Sequence, residues 1–315
     1  EYMKYNNPLG LSRIWEALLT PKDNEVKPPE PKRYSVTDLI GPPLIRSLKI
    51  DLWDKLTEDI SERIWRVDGQ ILDEKLSTIA ESLNFPSSSF RKYLVKYKME
   101  RRFNVLDRVF TVVGIPDLID VDRRTITDWK KTSQLKVWNN DFDEWWKQVG
   151  IYAYLYNSQE SNIRDDLGCY RIEYLTLSIF IKDFKAINSS VLGSPILEIT
   201  EVFGSSQYTQ TDKYIRERLL DHYENPYREC IAEEKWTTGD IFAIKKYGNL
   251  RALKVCDSEK EARNYLNSKK IKDEKHSSMY SIERRPGIPK KCLKYCPVRF
   301  YCKYSPVRSV PISYP

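Results

Sequence analysis

One feature of this sequence narrows its fold more than any other: the apolar period changes in the middle of the chain. Towards the N-terminus, apolar residues recur three and four apart. From Phe103 they crowd into short β-branched and aromatic runs. Phe103-Asn104-Val105-Leu106 and Val109 to Gly114 read as strands, and Ile115-Pro116-Asp117-Leu118-Ile119-Asp120 reads as a continuation of the second. Val121-Asp122-Arg123-Arg124 reads as a turn, and Thr125 to Lys130 as the returning strand. Tyr170 to Ile181 is a further, strongly apolar strand.

Helical patterns surround these strands, at Leu11 to Leu19 and at about residues 44–56, 60–84, 87–98, 141–158 and 207–224. Ser35 and Thr37 are candidate caps for the helix at 44–56. Helices flanking strands predict an α/β fold with a mixed central sheet. The expected parts are a helical N-terminal region with a Pro- and Lys-rich linker (1–58), a core (59–225) and a small C-terminal module (226–315). In the last, Phe242 to Lys245 and Ala252 to Val255 flank Tyr247-Gly248-Asn249 as a hairpin, Ser258 opens a helix, and cysteines crowd the tail. No apolar run reaches 18 residues and no apolar leader opens the sequence, so a cytoplasmic protein with no membrane span is expected.

The residues that carry chemistry lie on the central hairpin. Only two histidines occur, His222 and His276, which excludes a histidine-rich metal site. Side chains two apart on a strand share a face, so Asp128 and Lys130 project together, and a paired strand brings Asp117 near them. Two carboxylates suit a hard cation such as Mg²⁺ or Mn²⁺. A lysine beside them can orient water or stabilise charge on a phosphate. On the following helix, Gln148 and Tyr152 are four apart and share a face. Asp120 and Asp122 belong to the turn, where acidic residues are common.

Asp117, Asp128-x-Lys130 and Gln148-x-x-x-Tyr152 resemble motifs II and III and the Gln-x-x-x-Tyr motif of RecB-like nucleases in the PD-(D/E)xK superfamily. Phage-encoded members show a Ser-Val-Thr-x-Leu-Ile segment like Ser35 to Ile40, and a Gly-x-x-x-His helix. The resemblance spans about residues 34–305. It implies a restriction-endonuclease-like core and Mg²⁺- or Mn²⁺-dependent hydrolysis of DNA, acting on ends or single strands. It further implies a place in phage or mobile-element replication, recombination or processing, with the proteins of those pathways as possible partners. Gln148 would orient the lysine or contact DNA. The sequence departs from the family at Gly69-Gln70-Ile71-Leu72-Asp73, where Asp73 stands in place of the metal-binding histidine. An aspartate also binds Mg²⁺ or Mn²⁺, so Asp73 joins Asp117 and Asp128 as an expected ligand. The alternative is a catalytically degenerate nucleic-acid-binding module.

Cys292-x3-Cys296-Pro297-x4-Cys302 has a spacing that suits thiolates converging on one metal or cluster. Candidates for a fourth ligand are Cys169, Cys230 and Cys256. Cys230, in a loop-like stretch, is the choice; Cys169 and Cys256 border apolar strands and read as buried side chains. Spacing alone accepts either Zn²⁺ or a [4Fe-4S] cluster. The family resemblance favours [4Fe-4S], with a structural role. The net charge of +7 suits a polyanion partner. Lys131 is a candidate phosphate contact and Trp138 a candidate stacking platform for bases, with Trp129, Trp145, Trp146, Lys136, Arg123, Arg124 and the Arg101-Arg102 pair as further candidates.

Overall fold

The central runs form strands, but in two sheets rather than one. The computed structural model describes residues 4–21, 27–84, 92–168, 171–184, 193–268 and 279–309. The chain divides into two compact units, Glu1–Arg228 and Glu229–Pro315. In chain order the first unit holds β1 (Lys4–Asn6), α1 (Arg13–Leu19), β2 (Arg33–Ser35), α2 (Val36–Ile40), α3 (Pro43–Asp51), β3 (Thr57–Asp59) and α4 (Ile64–Ser82). It continues with β4 (Tyr93–Val95), β5 (Met99–Val105), β6 (Arg108–Gly114), β7 (Leu118–Asp120), β8 (Thr125–Thr132), α5 (Gln134–Trp138) and α6 (Asp143–Asn157). It closes with α7 (Ser161–Asp166), β9 (Tyr174–Ile181), β10 (Ile196–Val202) and α8 (Ser205–Glu224). The fold of this unit is mixed α/β.

Among the described residues, the main sheet runs β10-β9-β8-β7-β4 and a second sheet runs β2-β6-β5. In the main sheet β8 and β9 are parallel and the other neighbours antiparallel. This makes β8 an interior strand, paired with β9 along its whole length and with β7 over Thr125–Thr127. Its neighbours hold it rigidly in register, with Asp128 opposite Leu177 and Lys130 opposite Ile179. The core behind it gathers Ile119, Ile126, Leu177 and Ile179 from the sheet and Val149, Ile151 and Leu155 from α6.

Four expectations need correction. The strand through Val109 to Asp120 is broken. β6 ends at Gly114, and Pro116, which has no N–H to donate to a ladder, lies in the crossing to β7 in the other sheet. The helix expected at 87–98 is not formed by its described part: Tyr93–Val95 is a strand paired with β7, and residues 85–91 lie outside the described residues. Tyr-Leu-Val favours a strand once a sheet edge is offered. Ser35 does cap a helix, accepting a hydrogen bond from the Asp38 amide at 3.0 Å, but that helix is the short α2. Gly41 and Pro42 end it, and Pro43 starts α3 at the first helical position, where its missing N–H is no loss. The strand expected from Tyr170 begins at Tyr174.

In the second unit, β11 (Ile241–Lys246) is flanked by β12 (Lys254–Cys256) and β13 (Tyr280–Arg285), both antiparallel to it. The β11–β12 pair is the expected hairpin; β13 is a strand the sequence did not announce. Helix α9 (Glu259–Ser268) covers this sheet, with its Ala262 packed on Ile244 and Cys256. Among the described residues no helix is long and apolar enough to cross a membrane.

Candidate active site

Asp128 and Lys130 share a face of β8, as strand alternation requires. Asp128 is 3% exposed, and the ammonium of Lys130 lies 2.5 Å from its Oδ2. That oxygen has no hydrogen bond beyond this ion pair. Burial pushes the Asp128 carboxyl up to about 6; Lys130 opposes the shift and the neighbouring Asp117 adds to it. Asp117 sits just before β7, at the sheet crossing. Its Oδ2 accepts a hydrogen bond of 2.7 Å from the Trp129 amide, which fixes it against β8.

Helix α6 packs over β8 and supplies the next two groups. Lys130 Nζ donates to Gln148 Oε1 at 2.9 Å, and Gln148 Nε2 donates to the Tyr152 hydroxyl at 2.9 Å. Tyr152 is 6% exposed, and burial, with Asp128 nearby, pushes its hydroxyl well above the usual phenol range. It therefore stays a neutral phenol. A chain of contacts thus runs Tyr152–Gln148–Lys130–Asp128.

Gly114 explains why a glycine precedes this site. A Cβ there would come within 2.8 Å of Leu155 Cδ1 and 2.9 Å of Tyr152 Cδ1. Only a glycine lets the end of β6 approach α6 so closely.

The third carboxylate comes from α4. Asp73 lies on the same cleft wall as Gly69 and Leu72, while Glu74 is exposed. Asp73, Asp117, Asp128, Lys130, Gln148 and Tyr152 together line one cleft of about 250 Å³. Lys96, in the turn between β4 and β5, spans two of these acids: its Nζ is 2.5 Å from Asp117 Oδ1 and 2.8 Å from Asp73 Oδ1. The sequence gives no sign of Lys96, because its segment reads as a helix end and carries no motif.

Among the described residues no three carboxylate, thiol or imidazole groups are gathered closely enough to hold an ion as they stand. The chemistry nevertheless fits. The acids are hard oxygen donors, Asp128 Oδ2 has the Lys130 ammonium as its one partner, and a cationic ammonium already bridges Asp73 and Asp117.

The nucleic-acid candidates fare differently. Lys131 lines the cleft, and its ammonium pairs with Asp68 of α4 at 2.6 Å. Trp129 also lines the cleft. Trp138 is 42% exposed at the end of α5 and is not part of the cleft wall. Trp145 stacks on Phe142, with ring centres 5.4 Å apart. Lys136 pairs with Asp141, Arg124 with Glu173, and Arg123 with Asp120. Asp120 accepts from the Arg123 amide, a turn role.

In the second unit, Cys296 and Cys302 are buried, and Cys230 and Cys292 are half-buried. The segment carrying Cys230 is zipped to the one carrying Cys292: Lys291 N–H donates to Lys235 O at 3.0 Å, and Thr238 N–H to Ile288 O at 3.1 Å. Gly287 permits this approach, since a Cβ there would lie 1.9 Å from Thr238 O. Burial pushes the Cys230 thiol up to about 12, with Glu234 and the thiols of Cys296, Cys302 and Cys292 adding to the shift. The four thiols therefore lie within electrostatic reach of one another, and as a donor set they suit a soft metal or cluster. Cys256 instead fills the core under α9. Cys169 lies outside the described residues.

No protein-family model matches the sequence, and no curated protein matches it. Among solved structures, one described as "Crystal structure of SSO0001" is similar over 67% of this chain and 83% of its own, at 17% identity and a TM-score of 0.46. Likeness of that degree carries no function with it.

Proposed function

We propose that this protein is a metal-dependent DNA nuclease with a PD-(D/E)xK core of the RecB-like kind, acting on DNA ends or single strands. The observation that carries this reading is the single cleft in which Asp73, Asp117 and Asp128 face Lys130, itself held by Gln148 and Tyr152. Asp73, Asp117 and Asp128 would hold Mg²⁺ or Mn²⁺, which supplies positive charge and Lewis acidity against the phosphate. Lys130 points its ammonium into the cleft to steady the attacking water and the charge that grows on the phosphoryl oxygens. Water adds to phosphorus, one P–O ester bond breaks, and the leaving oxygen takes up a proton. Gln148 fixes the lysine, and Tyr152 fixes Gln148. Cys230, Cys292, Cys296 and Cys302 would hold a [4Fe-4S] cluster, or Zn²⁺, with a structural role. The cellular setting is phage or mobile-element DNA processing.

The test is cleavage of end-labelled single- and double-stranded DNA with Mn²⁺, Mg²⁺ or EDTA, using protein purified without oxygen. Metal-dependent degradation that Asp128→Ala reduces at least about a thousandfold is expected, since the substitution removes a ligand and the partner of Lys130. Intact DNA in every lane, with retained salt-sensitive binding, would replace the enzyme with a nucleic-acid-binding module.

A further inference from the structure

Lys96 is not one of the residues a carboxylate-and-lysine site requires, yet its ammonium is the group that bridges Asp73 and Asp117. Its backbone is built for that place. Lys96 has φ of 50°, a left-handed conformation unusual for a lysine, and its N–H donates to Asp117 O at 3.3 Å. The neighbouring chain is fixed too, because the Asn84 side chain both accepts from Tyr93 N–H and donates to Tyr93 O. The backbone is thus anchored, and the long side chain is tied to the cleft only through its ammonium.

We propose that Lys96 is a second catalytic cation of the cleft, which holds Asp73 and Asp117 together in the ion-free protein and turns to the scissile phosphate when a divalent ion takes those carboxylates. The inference rests on the nuclease reading above. A divalent ion on those carboxylates repels the ammonium that bridges them in its absence, and so drives it off the Oδ1 atoms of Asp73 and Asp117. Its anchored backbone keeps the displaced ammonium at the cleft. There the remaining anion is the substrate's phosphate, and an ammonium serves it as a compact point charge. Lys130 is held by other partners, Asp128 and Gln148. The two lysines would then contact the phosphate from two sides.

Lys96→Gly is the variant of choice, because glycine adopts positive φ without strain and the turn is kept. Mn²⁺ binding, followed by electron paramagnetic resonance without DNA, is expected to tighten about tenfold once the competing charge is gone. At saturating Mn²⁺ the kcat for DNA cleavage is expected to fall about tenfold to a hundredfold. Lys96→Met gives the same two readings if the glycine variant does not fold. Unchanged or weaker Mn²⁺ binding, or an unchanged kcat, overturns the role of Lys96 while leaving a cleaving wild type as a nuclease. A wild-type protein that neither binds Mn²⁺ nor cleaves DNA removes the nuclease reading and this inference with it.

Discussion

A buried carboxylate with a raised pKa stores instability, and Asp128 shows how much function can ask of one residue. Its folded value of about 6 lies above the ordinary 3.8, so the native state binds that proton more tightly than the unfolded chain does. The resulting stability is fully present below the ordinary value and is lost as pH rises from about 4 through about 6. Above that window the ionised carboxylate costs the metal-free protein on the order of 3 kcal/mol. Asp128→Asn, an isosteric stand-in for the protonated form, is therefore expected to be more stable than the wild type at neutral pH by that order, with the gap closing towards pH 4. Urea denaturation in EDTA at several pH values measures it. The difference between the two proteins must be read, because His222 works in the opposite sense. Burial and Arg218 push it down to about 4, so its contribution is lost as pH falls from about 6.5. His222 cancels in the difference. Equal stability at neutral pH would mean that Lys130 fully offsets the burial of the charge.

Asp128 and Lys130 were legible in the sequence because they depend only on the period of a strand, and Gln148 and Tyr152 only on the turn of a helix. Lys96 was not legible, because a turn residue meets α4 and the sheet crossing only in three dimensions. The same holds for elements. The hairpin of β7 and β8 follows from its turn, whereas the move of the chain between sheets at Ile115-Pro116-Asp117 depends on β4, distant in sequence, claiming the edge of β7. β10 also escaped notice: it is an edge strand, mostly exposed, whose apolar residues Ile196, Leu197, Ile199 and Val202 do not alternate cleanly. Gly114 links this scale to the site, since it is the close contact between β6 and α6 that seats Tyr152. Gly114→Ala would drive a methyl group into Tyr152 and Leu155, both held in a filled core. The expected loss is about 1–3 kcal/mol in chemical denaturation. Cleavage should fall further than stability does, because Tyr152 holds Gln148 and Gln148 holds Lys130. A variant that unfolds more easily yet cleaves at the wild-type rate would show that the Tyr152–Gln148 contact does not position the lysine.

At the scale of the whole molecule, the two compact units differ in what can hold them together. The first has a large core beneath its main sheet. Among the described residues, the second has one small cluster of Ile244, Cys256 and Ala262, with Phe242, Tyr265, Leu266, Tyr280 and Ile282 packed around it, and a few further buried side chains such as Ala243 and Val298. A small core leaves a domain marginal, and a bound metal is a common remedy. The thiols offer one. Burial pushes Cys296 up to about 11 and Cys230 to about 12, so without a ligand all four should be protonated near neutral pH. Binding a metal or cluster must then release protons, and its affinity should rise with pH. Cys296→Ser removes one buried donor. Calorimetry is expected to show the second unit melting at lower temperature while the transition of the first is unchanged. Analysis of iron, sulfide and zinc in the wild type, against their loss in the variant, distinguishes the [4Fe-4S] cluster from Zn²⁺. Identical melting and identical metal content in both proteins would leave the four thiols as unligated side chains, with the backbone bonds from Lys291 to Lys235 and from Thr238 to Ile288 holding the tail alone.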